Sequence, residues 1–152
     1  MSPDGSSLFF RSIPAHLRPD SSTKRALKEF WRSLSRDVAG NREFSCLLTG
    51  DKELQRLNRE FLGHDYPTDV LSFPQTGDAF IGDLAISIER AAAQATEFGH
   101  ATLDEIRILM LHGVLHLMGM DHETDGGKMA RAERKWRNSL GLPTTLIART
   151  SR

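Results

Sequence analysis

The 152-residue chain is poor in cysteine and tyrosine, with one of each, and has no apolar run long enough to cross a bilayer. A lone Cys46 forms no internal disulfide, which excludes the disulfide-stapled secreted scaffolds and fits a reducing compartment. It lies in the apolar residues 44–48 and reads as a small buried thiol. The first twenty residues have no apolar core between a basic start and a small-residue cleavage site, so no secretory signal is expected. The most apolar stretch, residues 108–120, is interrupted by His112 and His116 and falls short of the roughly 20 residues a spanning helix requires. Internal repeats, long Gly/Ser linkers and low-complexity tracts are also missing. One soluble, cytoplasmic domain over residues 1–152, with no membrane contact, is therefore expected.

An excess of either charge is missing too. Lys plus Arg and Asp plus Glu both total 20, but they are unevenly distributed. Residues 8–42 carry eight basic and three acidic side chains, residues 43–127 five and fifteen, and residues 128–152 seven and one. Basic ends around an acidic middle can create a local cationic field that the overall balance conceals. With 39% hydrophobic and 26% charged residues, the composition is that of a folded domain, not a disordered chain.

Periodicity places strands at residues 8–13, 43–49, 68–73 and 83–88, with Pro74 stopping the third. A first helix, capped by Ser21 to Thr23, should reach about Ala39 and stop at Gly40. Its apolar stripe is Leu27, Phe30, Trp31, Leu34 and Val38, and Lys24, Arg25, Lys28, Arg32 and Arg36 lie on the other side. That basic face is either merely solvated or a surface for phosphate contacts. A short helix over 51–62 should point Leu54, Leu57, Phe61 and Leu62 inward. A third helix starts near Ser87 and ends near Gly99. A fourth opens on Thr102-Leu-Asp-Glu105, which has capping-box spacing. A last helix over about 127–140 closes at Gly141 and Pro143. The expected fold is α+β: a small four-stranded mixed sheet packed with about five helices.

Three of the six histidines fall in His112-Gly-Val-Leu-His116-Leu-Met-Gly119-Met-Asp121-His122. On a helix, i and i+4 share a face, so His112 and His116 can offer ring nitrogens to one point. A sharp turn at Gly119 would bring His122 from the other side. Three neutral imidazoles with one open position form the catalytic pattern of zinc, although nickel, copper or iron also accept such ligands. The spacing is that of a zinc-peptidase helix and turn. Gly113, however, stands where the peptidase motif has its general-base Glu, which disfavours peptide hydrolysis. Glycine in mid-helix implies a close approach to the backbone, by substrate or by the neighbouring sheet. Asp121 reads either as a carboxylate orienting an imidazole or as a cap for the last helix. Asp69 and Asp83 read as structural.

Three segments resemble the YbeY family of endoribonucleases, also described as rRNA maturation factors. They are Leu57-Asn58 followed by Gly63-His-Asp65-Tyr-Pro67-Thr-Asp-Val-Leu-Ser-Phe-Pro74; Gly82-Asp83-Leu-Ala-Ile-Ser87; and the histidine segment itself. The resemblance implies a Zn2+-dependent hydrolase that cuts single-stranded RNA, with one ion held by His112, His116 and His122. It also implies a role in 3′-end maturation of small-subunit (16S) rRNA and in ribosome quality control, with the small ribosomal subunit as partner. In one departure, the family usually has Arg immediately before the glycine equivalent to Gly63, and here that residue is Leu62. Arg59, one helical turn earlier, is the candidate replacement for phosphate contact. Two rival readings are an assembly factor whose zinc is only structural and a degenerate metallopeptidase.

Overall fold

The computed structural model describes residues 7–121 and 125–143. Strand β1 (Leu8–Phe10) leads through a 3-10 turn at Ala15–Leu17 into helix α1 (Ser21–Ser33), followed by a π-helical turn at Leu34–Val38. Then come β2 (Glu43–Thr49), α2 (Asp51–Leu62), β3 (Val70–Pro74), β4 (Phe80–Ser87), α3 (Ile88–Phe98), α4 (Thr102–Leu117) and α5 (Lys128–Leu140). The sheet order is β1-β2-β4-β3, with β1, β2 and β4 parallel and β3 antiparallel to β4. This is the expected α+β fold, with four strands in a mixed sheet and five α-helices.

Alternation along the strands divides the core. Phe44, Cys46 and Leu48 of β2 align with Gly82, Leu84 and Ile86 of β4 and face the main cluster. That cluster includes Leu27, Trp31 and Leu34 from the α1 region, Ile108 and Leu111 from α4, and Met129 from α5. The residues between them point the other way, where Ala85 and Leu71 meet Leu54 of α2. One face thus carries α2 and the other carries the buried helix α4. Every position from 102 to 118 is buried or half-buried, which makes α4 a central helix without a broad wet side. Trp31 Nε1 donates to Phe44 O at 3.1 Å and so ties α1 to β2 inside the core.

Several expectations are corrected. Strand β1 ends at Phe10 instead of residue 13 because Ser12 adopts φ +55°, which breaks the extended backbone. Asp20, not Ser21 to Thr23, caps α1: its carboxylate accepts from Thr23 N at 2.8 Å. The α-helical ladder of α1 stops at Ser33, yet the π turn keeps Leu34 and Val38 buried, so the apolar stripe survives the change. Phe61 and Leu62 are 65% and 47% exposed because the last turn of α2 overhangs the sheet edge, where Phe61 meets Phe73 edge-on at 5.8 Å. Pro74 lies within β3, whose position at the edge of the sheet tolerates a missing N–H. Strand β4 begins at Phe80, three residues before the expected start at residue 83. Thr102 forms no capping box: Ala101 is the cap residue and makes no side-chain cap bond. Glu105 is instead fully buried, with His100 Nε2 at 2.6 Å and Gln94 Nε2 donating at 2.8 Å.

Candidate functional site

The last two turns of α4 carry His112 and His116 past the edge strand β3. Ser72 Oγ of β3 donates to Gly113 O at 3.3 Å, which sets the distance between strand and helix. A cavity of about 280 Å³ opens there, bounded by residues 68–72 and Pro74 on one side and by the two imidazoles on the other. Asp69, 5% exposed, lines it and accepts from Val70 N at 2.8 Å. Helix α4 ends at Leu117 with Met118 as its C-cap, and Gly119, at φ +92°, turns the chain back as its position suggested.

The hydrogen bonds of the two rings determine where their protons lie. His112 Nδ1 is 2.5 Å from the Glu133 carboxylate of α5, and His116 Nδ1 is 2.9 Å from Met120 O. Carboxylate and carbonyl oxygens can only accept, so both Nδ1 atoms carry hydrogen. In the neutral rings both Nε2 atoms then carry the lone pair and point into the site. Those two Nε2 atoms face each other at 3.0 Å, with the rings nearly perpendicular at 76°. Opposed lone pairs at that distance repel unless positive charge lies against them. Two nitrogens bound tetrahedrally to zinc at about 2.0–2.1 Å lie about 3.3 Å apart, close to this separation. The pair therefore fits a metal ion. His122, the third sequence-predicted ligand, lies outside the described residues, and among the described residues no group of three or more His, Cys, Asp or Glu converges on a metal position.

Gly113 can now be explained. A Cβ there would lie 2.7 Å from Leu84 Cδ2 and 2.9 Å from Leu84 Cδ1, so it is the sheet that approaches the helix backbone. The same packing leaves no room at 113 for the glutamate a peptidase requires.

The sequence profile of the Endoribonuclease YbeY family matches residues 16–141. A protein of that name from Solibacter usitatus is 57% identical over 148 residues, covering 97% of each chain. Another from Koribacter versatilis is 49% identical over 119 residues, covering 78% of each. The chain belongs to the YbeY family. A solution structure from Thermotoga maritima shares the fold, with a TM-score of 0.59 and 25% identity over 94% of this chain and 99% of that one. Membership places the chain among nuclease hydrolases. Among the described residues no helix is long and apolar enough to cross a membrane.

Other members of the candidate set are scattered. Arg59 sits on the last turn of α2, half exposed and 3.5 Å from Asp65, and does not line the histidine cavity. Leu62, in place of the arginine usual in YbeY proteins, is exposed on the same turn. Asp121 is exposed just beyond the turn that follows α4. Asp83 is occupied structurally, accepting from Ser45 Oγ and from Gln75 Nε2 at 2.8 Å. Burial pushes the Cys46 thiol far up, so it stays protonated and is no nucleophile.

Sequence reasoning missed Glu133. Its signal was present: α5 turns Met129, Ala132, Trp136 and Leu140 toward the core, and Glu133 is a carboxylate on that apolar stripe. Arg137 Nη2, one turn on, lies 3.6 Å from the carboxylate's other oxygen.

Proposed function

We propose that this chain is a zinc-dependent, single-strand-specific endoribonuclease acting in 3′-end maturation of small-subunit (16S) rRNA and in ribosome quality control. His112, His116 and His122 would hold one Zn2+. The observation that carries the reading is the pair of Nε2 atoms facing each other across 3.0 Å beside an open cavity, each ring fixed by an acceptor on its Nδ1. A divalent ion held there supplies polarisation of the phosphodiester and activation of water for attack on phosphorus.

The protein's own contribution is positioning. Glu133 fixes the tautomer and plane of His112, and Met120 O does the same for His116, which leaves both basic nitrogens pointing inward. Edge strand β3 walls the cavity on one side and the two imidazoles on the other, so an extended, unpaired segment of RNA lying along β3 brings a phosphodiester to the Nε2 atoms. Asp121 follows the turn and orients an imidazole in this reading. Arg59, on the exposed end of α2, supplies phosphate contact to RNA leaving the cavity in place of the arginine replaced by Leu62. The small ribosomal subunit is the partner in the cytoplasm.

The decisive experiment measures metal content by elemental analysis and cleavage of an unstructured RNA, for wild type and His116→Ala freed of contaminating nucleases. Loss of bound zinc together with a fall in rate of at least about 100-fold is expected for the variant. Equal rates would show that the histidines serve only structure, and full metal retention in both His112→Ala and His116→Ala would sink the ligand assignment. Arg59→Ala and Leu62→Arg, assayed in parallel, should respectively lower and raise cleavage.

A further inference from the structure

A strongly cationic surface lies away from the histidines. Helix α1 and the turn after it present Lys24, Lys28, Arg32 and Arg36 at four-residue steps, a row in which successive charges are about 6 Å apart along the axis. All four are exposed, and Arg25 flanks them. They form one wall of a groove of about 950 Å³ whose other wall is edge strand β1. Arg36 is partnered by Asp37, while Lys24, Arg25, Lys28 and Arg32 make no ion pair with any described residue. Glu43 is the single carboxylate among the described residues lining the groove. A chain with zero net charge has therefore concentrated five cations on one side of a trough.

Aromatic rings of β1 face the row from the other wall and from behind it. Lys24 Nζ sits 5.2 Å from the centre of the Phe10 ring, and Arg11 Cζ is 6.0 Å from that of Phe9. Phe9, 37% exposed, alternates to the other face of the sheet, whereas Phe10 lies half-buried on the α1 side and Trp31 closes the floor with its indole N–H already committed to Phe44 O. A cation row along a trough whose walls and floor are partly covered aromatic rings suits an extended, unpaired nucleic-acid strand, with phosphates on the charges and bases against Phe10 and the apolar wall of β1. The sheet order puts this groove at the opposite edge from β3 and the histidine cavity. With strands about 4.8 Å apart, the two edges are separated by about 14 Å, a span that a few nucleotides of extended strand can cover.

We propose that the α1–β1 groove is a second binding site for single-stranded RNA, remote from the metal-binding histidines, which holds the substrate strand by its backbone while another part of that strand reaches the cavity. The identity of the occupant rests on the ribonuclease reading above; the binding itself does not depend on cleavage.

The test uses labelled oligouridylates of 4 and 16 nucleotides, with binding followed by fluorescence anisotropy across a salt series. Wild type, Lys28→Ala/Arg32→Ala and the charge-keeping Lys28→Arg/Arg32→Lys are compared, each also in a His116→Ala background that should not cleave. For the 16-mer, the alanine pair should weaken binding at least about 10-fold and reduce the slope of log K against log salt by about 1.4, or about 0.7 for each phosphate left without its cation. The charge-keeping pair should retain the wild-type slope. In cleavage, KM for the long RNA should rise with kcat unchanged, and the tetranucleotide should be indifferent. An unchanged salt slope for the 16-mer overturns the proposal and leaves the groove to an acidic protein partner; a fall in kcat with KM for the long RNA unchanged overturns it too. If no protein cleaves RNA but the slopes differ as described, the nuclease reading fails and the groove stands.

Discussion

Glu133 shows how much a single side chain outside the histidine motif can decide. Its carboxylate on His112 Nδ1 turns a ring that could present either nitrogen into one that presents Nε2 alone. Glu133→Gln should therefore lower zinc affinity, read by competition with a chelating dye, by about 10- to 100-fold, with cleavage falling alongside. An unaltered affinity would reduce Glu133 to a packing residue. Gly113 is a second single-residue decision. Alanine there gains up to about 1 kcal/mol of helix propensity but forces Cβ into Leu84, an overpacking that costs about 1–3 kcal/mol. Steric loss should win, and Gly113→Ala should be about 1 kcal/mol less stable in urea. In a double-mutant cycle with Leu84→Ala, which removes the obstructing methyls, the coupling should favour the pair by at least about 0.5 kcal/mol.

Among the elements, α4 is the one whose beginning the sequence misrepresents. Thr102 and Glu105 have the spacing of a capping box, yet Glu105 is drawn away from the helix end by His100 and Gln94, which satisfy it inside the protein. Consequently Thr102→Ala should lower stability in urea by less than about 0.5 kcal/mol. Glu105→Ala, which breaks a buried hydrogen-bonded pair, should cost about 3 kcal/mol. Comparable losses for the two would restore the capping box. Helix α2 shows the complementary error: periodicity identified its apolar side correctly, and Leu54 is buried, but periodicity does not report where the underlying sheet ends. Phe61 and Leu62 overhang β3 for that reason.

At the scale of the whole molecule, metal, pH and stability are linked. An ion that binds only the folded chain stabilises it by about 2.7 kcal/mol when present at 100 times its dissociation constant. Protons compete for the same Nε2 lone pairs, so this increment should be present at neutral pH and vanish as acid protonates the imidazoles. Thermal unfolding with and without zinc, followed from about pH 8 to about pH 5, should show two midpoints converging toward the acid end. Curves that stay equally separated would mean that the ion sits on ligands other than histidine.

Much of this could be read from the chain alone because the relevant signals are local. Apolar residues at helical or alternating spacing bury one face wherever they occur, so the α+β class, five helices and four strands follow from periodicity, and His112 and His116 share a face because four residues nearly complete a turn. The burial of Cys46 follows in the same way. Tertiary structure decided whatever depends on residues far apart in sequence: that Leu84 fills the space beside Gly113, that Glu133 on α5 orients His112 on α4, that Glu105 turns inward, and that α1 and β1 enclose a basic groove at the edge opposite β3. Periodicity tells a side chain which face of its own element to occupy, but which partner meets it there is set by how the elements stack, and no local pattern encodes that.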